Sequence, residues 1–173
     1  MNEDLSRWRE LRRISSCYLI WDEITREAAL FDVPQDTSAI VHFIEKEELQ
    51  LKHVFLTHEH SAERLRAHFP KFLLHTNAKS ALPQHRNRSN DFIHLGSLRI
   101  TNRALLEDRV AYVTGNWPED APHVAIVGTI EGLSNEIIRE KILNLPSETL
   151  VCKSDAPITT VAQLAAGLNS PPG

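Results

Sequence analysis

Two histidines, His58 and His60, lie two positions apart at the end of an apolar segment, residues 51–57. The segment has the composition of a β-strand, so it would deliver both imidazoles to one edge of a sheet. Imidazole nitrogens bind zinc and iron, and two of them on one turn can share a cation. A closed zinc site needs about four ligands and a catalytic site about three plus water, so further ligands must come from elsewhere in the chain.

Apolar periodicity and turn residues predict the elements that would position these histidines. Strands are predicted at 17–21, 28–32, 51–57, 72–75, 92–95, 98–100, 109–114, 123–128 and 149–152. Helices are predicted at 3–13, 37–49, 62–69, 135–145 and 159–168. Residues 83–90 form a polar loop between two β-rich halves, each with its own helices. This order predicts an α+β fold in which two sheets pack face to face between helical layers.

Length and composition narrow the classes of function. A chain of 173 residues that is 42% hydrophobic fits a single domain over residues 1–173. Its net charge of -4 argues against a nucleic-acid partner, since such proteins usually carry a basic surface. No window is long and apolar enough for a membrane span, and the acidic start lacks a signal core. We therefore expect a cytoplasmic protein with no membrane or nucleic-acid partner.

Several strings, in chain order, resemble the metallo-β-lactamase superfamily, especially its glyoxalase II-like hydrolases. Residues 56–60, Leu-Thr-His-Glu-His, resemble the T-H-x-H metal turn of that family. Residues 16–20 and 29–32 resemble the first two strands of the family. Residues 110–112 and 127–128 resemble strands next to its later metal ligands, and strings within 148–160 resemble the strand and loop around its last histidine. The resemblance runs nearly end to end. It implies a shortened four-layer αββα sandwich with a metal site at one edge of the sheets.

The family's H-x-H-x-D-H motif is only half present in this chain. His58 and His60 match its first two histidines, whereas its aspartate falls on Ala62 and its last histidine on Glu63. The resemblance therefore implies that most of one metal half-site has been lost.

The later ligands of the family are missing as well. The resemblance aligns the third histidine with Leu105, the bridging aspartate with Thr129 and the terminal histidine with Asp155. A different alignment does not restore the imidazoles, because no histidine lies between His94 and His123 and none follows His123. A two-metal hydrolase uses its ions to activate water and to polarise the substrate, so losing their ligands removes both functions.

These losses favour a degenerate metallo-β-lactamase-fold protein that is non-hydrolytic. Such a protein would have no catalytic residues and no resident cofactor. It would act as a small-molecule-binding or protein-interaction module whose ligand the sequence leaves open, and we expect it to form a homodimer. A third hypothesis is a structural subunit that depends on a partner for its stability.

The alternative is a mononuclear zinc or iron hydrolase of a thioester or ester. In that hypothesis His58 and His60 bind the metal together with Glu63 or Asp155, a mixture of imidazole and carboxylate that both metals accept. Asp32 would then orient a histidine nitrogen, although its simpler role is to cap a loop.

Overall fold

Eleven β-strands and four α-helices make up the part of the chain that the computed structural model describes, residues 11–78, 81–88, 90–116 and 121–169. The strands are β1 (Leu11–Ile14), β2 (Cys17–Trp21), β3 (Glu27–Phe31), β4 (Gln50–Phe55), β5 (Leu73–His75), β6 (Phe92–Leu95), β7 (Leu98–Leu106), β8 (Arg109–Asn116), β9 (Ala121–Gly128), β10 (Leu150–Lys153) and β11 (Thr159–Thr160). The helices are α1 (Ser38–Lys46), α2 (Glu63–Arg66), α3 (Asn135–Lys141) and α4 (Val161–Asn169). Within these ranges, no helix is both long and apolar enough to cross a membrane.

The strands form two mixed sheets. The first has the order β1-β2-β3-β4-β5, in which β3, β4 and β5 run parallel to one another. The second has the order β11-β10-β9-β8-β7-β6, in which β9 and β10 are parallel and the other pairs antiparallel. Because β3 and β4 are parallel neighbours, their C-terminal ends meet at one edge of the first sheet. The segment with the two histidines begins at that edge.

Three apolar clusters pack four layers together: a helical layer, the two sheets and a second helical layer. The central cluster joins the inner faces of the two sheets and includes Tyr18, Ile20, Phe31, Phe55, Ile100, Tyr112, Ile126 and Leu150. A second cluster packs α1 and α2 against the outer face of the first sheet, and a third packs α3 and α4 against the second sheet. Helix α1 fits this position because Ile40, Val41 and Ile44 share one face. The predicted αββα sandwich is confirmed.

The prediction of an N-terminal helix at 3–13 is wrong for residues 11–13, the part of it that the structure describes. Residues 11–14 are strand β1, which pairs with β2 so that Leu11 faces Ile20. The residues before Leu11 lie outside the described part of the chain. Helical spacing of apolar residues was misleading here, because pairing with an available sheet edge outweighs local periodicity. The start of the last helix differs too, since Thr159–Thr160 is strand β11.

Two buried tyrosine hydroxyls connect the sheets. Tyr18 of the first sheet donates a hydrogen bond of 2.6 Å to the carbonyl oxygen of Lys153 in the second sheet. Tyr112 of the second sheet donates to the carbonyl oxygen of Leu56, after the end of β4, at 2.8 Å. Both bonds satisfy polar atoms inside the sandwich and fix the sheets relative to one another.

A buried carboxylate, Asp22, joins two turns, one from each sheet. Its Oδ1 accepts from the backbone N–H groups of Ile24 and Thr25, in the turn between β2 and β3. Its Oδ2 accepts from the backbone N–H and the hydroxyl of Ser97, in the turn between β6 and β7. Burial would raise the pKa of Asp22, but these hydrogen bonds outweigh burial and hold it below its ordinary value. Gly96 is required beside it, since a Cβ there would lie 2.3 Å from the carboxyl carbon.

We expect Asp22→Ala to lower the free energy of unfolding by about 2 kcal/mol or more, because Ser97, Ile24 and Thr25 would lose a charged acceptor. Denaturant unfolding followed by circular dichroism measures this. The control is Glu140→Ala, which removes an exposed carboxylate from α3. Equal stability of the two variants would contradict the role assigned to Asp22.

Candidate functional site

Asp32 and Thr57 form the base of the site, at the C-terminal ends of β3 and β4. The Oδ1 atom of Asp32 accepts from the backbone N–H of Thr57 at 2.8 Å, and Oδ2 accepts from the Thr57 hydroxyl at 2.6 Å. Both side chains are buried. Asp32 has a positive φ of 68°, which is uncommon for a residue other than glycine and is more easily adopted by Asp than by most residues. We call this pair the Asp32–Thr57 clasp.

His60 lies over this clasp with both ring nitrogens bonded to the backbone. Its Nε2 accepts from the Val33 N–H at 3.0 Å, and its Nδ1 lies 3.0 Å from the carbonyl oxygen of His58. An N–H can only donate and a carbonyl can only accept, so the ring is neutral and carries its proton on Nδ1. Burial lowers the pKa of His60 and supports the neutral form, although the nearby charge of Asp32 opposes this effect.

His58 is placed differently, because its side chain is 53% exposed, against 21% for His60. Its Nδ1 lies 3.1 Å from the Thr57 hydroxyl, and its ring stacks on that of His60 with centroids 4.5 Å apart. Asp32 Oδ1 is 3.9 Å from His58 Nδ1 and 3.8 Å from His60 Nε2. These distances exceed a hydrogen bond, so Asp32 does not make the direct bond to a histidine nitrogen that the metallohydrolase hypothesis expected. Its bonds to Thr57 agree with the simpler prediction that it caps a loop.

Asp32, His58 and His60 are brought together into a group of candidate metal ligands. One donor atom from each lies within 4.8 Å of the others, and this is the only such group of three or more found among the described residues. A set of two imidazoles and one carboxylate suits zinc or iron. The hydrogen bonds do not suit either metal, because a cation can reach His60 Nε2 only by displacing the Val33 N–H. As arranged, the three side chains do not fit a metal centre.

The two carboxylates predicted as further ligands face other partners. Glu63 is the first residue of α2, and its 78% exposed side chain lies 3.7 Å from Arg66. Asp155, in the exposed loop after β10, accepts a hydrogen bond of 3.3 Å from the Thr129 hydroxyl. The alignment with the family had placed Thr129 and Asp155 at two ligand positions, and the structure brings these positions together. Metal binding by Glu63 or Asp155 stays a prediction.

The region aligned with the family's third histidine has no loop to carry a ligand. Strands β7 and β8 are joined directly by a turn at residues 107–108. Leu105 is buried in the apolar cluster under α3 and α4, on the outer face of the second sheet. A side chain at this position therefore belongs to the core beneath the helices.

The second sheet approaches the clasp through Gly128 and Val110. The Val110 N–H donates to the Thr57 carbonyl oxygen at 3.0 Å. A Cβ on Gly128 would lie 2.5 Å from the Thr57 hydroxyl oxygen, and its φ is 71°. Glycine is therefore required at this contact for both space and backbone conformation.

Arginines hold the two neighbouring loops. Arg109 donates to the carbonyl oxygens of Thr129 and Glu131, the latter at 2.8 Å. Arg13 of β1 donates to the carbonyl oxygens of Ala156 at 2.8 Å and Ser154 at 3.2 Å. Each of the two loops that carry Thr129 and Asp155 is therefore bonded to a guanidinium group. These bonds go to backbone carbonyl oxygens of the loops.

Compared by sequence, the chain matches no family model and no curated protein. Solved structures are similar to it in fold. ETHE1 from Myxococcus xanthus is 21% identical, with a TM-score of 0.71 over 93% of this chain and 92% of that one. The BLEG-1 B3 metallo-β-lactamase is 20% identical, with a TM-score of 0.67 over 87% and 90%. TTHA1623, solved in a di-iron-bound form, is 17% identical, with a TM-score of 0.62 over 86% and 91%.

These likenesses establish the class of fold: the chain has the metallo-β-lactamase fold. The resemblance seen in the sequence strings is confirmed at that level. At these identities the likeness concerns the fold and does not carry over an activity.

Three features of the site were not identified from the sequence: the bonding of Thr57, the contact at Gly128 and the loop anchoring by Arg109. Thr57 stood inside the metal-turn string, and Gly128 ended a predicted strand. A glycine at a strand end is a recognised signal for close backbone approach, but its partner lies 71 residues away and cannot be read from the pattern.

His75, the last residue of β5, pairs with another histidine. His53 Nδ1 lies 2.9 Å from His75 Nε2, across the parallel strands β4 and β5. Burial lowers the pKa of each ring to about 4, with like charges adding to the effect. The pair is therefore neutral at pH 7, with one ring donating and the other accepting.

We expect Gly128→Ala to lower the free energy of unfolding by at least about 1 kcal/mol, since an L-residue is strained at this φ and its Cβ would push Thr57 away from Asp32. The control is Gly167→Ala in α4, where a Cβ meets nothing within 4 Å. That change should stabilise by up to about 1 kcal/mol, because alanine favours a helix. Thermal unfolding separates the two, and equal midpoints would contradict the contact.

The His53–His75 pair predicts a loss of stability on mild acidification. A folded-state pKa near 4 lies below the unfolded value of 6.5, so the unfolded chain binds up to two more protons between these pH values. This contribution to stability is complete above pH 6.5 and is lost as the pH falls toward 4. Urea unfolding from pH 7 to 5 measures it.

The double variant His53→Gln/His75→Gln should have a flatter pH dependence than the wild type. The control variant His42→Gln, which changes an exposed histidine on α1, should keep the wild-type slope. An unchanged slope in the double variant would exclude this pair as the source of the pH dependence.

Proposed function

We propose that this chain is a non-hydrolytic binding protein in which the metal edge of the metallo-β-lactamase fold has become a structural clasp. The observation that carries the proposal is the use of the donor atoms. Both carboxylate oxygens of Asp32 accept from Thr57, and both nitrogens of His60 bond to backbone groups. A metal needs a free lone pair on each of its ligands, and the one lone pair of the neutral His60 ring is already used for the Val33 N–H.

The aligned ligand positions in and next to the second sheet support the same proposal. The pair formed by Thr129 and Asp155 offers a hydroxyl and one exposed carboxylate where the family resemblance expected two strong ligands. Leu105, at the position aligned with the family's third histidine, is buried in the apolar cluster beneath α3 and α4. A ligand of the proposed protein is a small molecule or another protein, bound by the chain alone or by a homodimer.

A mononuclear zinc or iron hydrolase of a thioester or ester is the second candidate. Its support is the spacing of Asp32, His58 and His60, whose donor atoms lie within 4.8 Å, together with donor types that both metals accept. In that case the site forms only after His60 releases Val33. The two candidates differ in what each histidine contributes, so they can be separated by experiment.

The first test compares the stability of the wild type, His60→Ala and His58→Ala with added zinc or iron and with a chelator. A structural clasp predicts that His60→Ala lowers the free energy of unfolding by about 1–3 kcal/mol, because the Val33 N–H and the His58 carbonyl lose their partner. The more exposed His58 is the matched control, and its loss should change stability little. Urea unfolding measures both. A metal centre predicts instead that both variants lose the same metal-dependent stability.

The second part of this test is elemental analysis of the purified, untagged protein for zinc, iron and manganese, with assays of thioester and ester hydrolysis. We expect far less than one equivalent of metal per chain and no hydrolysis after incubation with zinc or iron. Near one equivalent of metal that disappears in His60→Ala, together with chelator-sensitive hydrolysis, would overturn the proposal in favour of the metallohydrolase.

A further inference from the structure

A second candidate site lies away from the clasp, on the side of the sandwich where β5 ends the first sheet and β6 ends the second. Here a cleft of about 240 Å³ is lined by strand residues of both sheets and by five residues that lie between β5 and β6: Gln84, Arg86, Asn87, Arg88 and Asp91. This volume is below the roughly 300–1,000 Å³ typical of sites for drug-sized ligands, so it suits a smaller molecule. We call it the β5–β6 cleft.

The strands give the cleft an apolar floor. Phe55 and Ile100 contribute from the central core, and Ile93 and Phe92 from β6. The His75 ring stacks on Phe55 with centroids 4.3 Å apart and planes inclined by 13°. Aromatic and branched side chains of this kind accept a flat or branched hydrocarbon group.

The segment above the floor gives the cleft a positive rim. Arg86 and Arg88 line it, and neither forms a salt bridge within the described residues. Asp91 also lines the cleft. Burial holds the pKa of His75 near 4, so this imidazole adds no charge at pH 7. Two cations and one carboxylate leave a local charge of about +1, which suits a single negative charge on a ligand.

Asparagine side chains hold this rim in place. Buried Asn102 donates from Nδ2 to the carbonyl oxygens of Arg88 at 2.8 Å and Asp91 at 3.2 Å. Asn87 donates to the Tyr112 hydroxyl at 2.9 Å. The backbone that carries both rim charges is therefore tied to the second sheet before any ligand arrives, which lowers the entropic cost of binding.

We propose that the β5–β6 cleft binds a small organic acid with one carboxylate and a compact apolar body. The carboxylate is bound by Arg86 and Arg88, since guanidinium groups match its geometry, and the body lies on Phe92 and Ile93, which are more exposed than the core residues Phe55 and Ile100. Asp91 disfavours a dianion such as a phosphate monoester. No residue lining the cleft belongs to the clasp, so this inference stands independently of the function proposed for the metal edge.

The test is a titration of the ¹⁵N-labelled protein with benzoate, followed by amide chemical shifts. We expect saturable shifts at residues 84–88, 90–93 and 100–102. Benzamide has the same shape without the charge and should bind at least about tenfold more weakly, since the charge-assisted bonds are lost. Phenyl phosphate should bind more weakly than benzoate because of Asp91.

Variants then test whether Arg86 and Arg88 bind the carboxylate. Arg86→Gln/Arg88→Gln should weaken benzoate binding at least about tenfold, since both charge-assisted contacts are removed. The control Arg139→Gln, which removes an exposed charge from α3, should leave it unchanged.

Four results would overturn the inference. They are no saturable shift at the cleft with millimolar benzoate, equal affinity for benzamide, tighter binding of phenyl phosphate, and unchanged affinity in the double arginine variant.

Discussion

The hydrogen bonds between Asp32 and Thr57 are the interaction on which this edge of the molecule depends. They join the ends of β3 and β4 through a buried carboxylate, and the second sheet meets them through Gly128 and the Val110 N–H. Without a side chain at Gly128 the two sheets approach closely enough to enclose the Thr57 hydroxyl. A buried carboxylate is costly unless its oxygens are bonded, so the clasp and the sheet packing are mutually required.

The same donor types serve either a metal or a hydrogen-bond network, and both ring nitrogens of His60 take part in such a network in this structure. An imidazole has one lone pair and one N–H when neutral, and His60 uses the first for Val33 and the second for His58. Where other ligand positions are absent, a two-histidine turn is stabilised by making these backbone bonds. Arg13 and Arg109 act in a similar way, because their guanidinium groups fix the neighbouring loops by hydrogen bonds to backbone carbonyl oxygens.

The β5–β6 cleft shows how one fold presents separate sites. A two-sheet sandwich has open sides where its edge strands end, and here the segment between β5 and β6 covers one of them. Asn102, whose side chain belongs to the second sheet, donates to the backbone carbonyl oxygens of Arg88 and Asp91 on that segment. If the proposed binding is correct, this chain uses a different edge of the fold from the clasp, since fold alone does not decide function.

The sequence by itself determined the order of most strands and helices, the layered architecture and the absence of most family ligands, because periodicity and residue identity are local properties. It singled out His58 and His60 and gave loop capping as the simpler role of Asp32, but it missed strands β1 and β11. Only the tertiary structure decided that Glu63 faces Arg66, that Asp155 faces Thr129 and that His60 bonds to Val33. The last two contacts join residues 26 and 27 positions apart, and they exist only once strand register and sheet packing bring those residues to one edge.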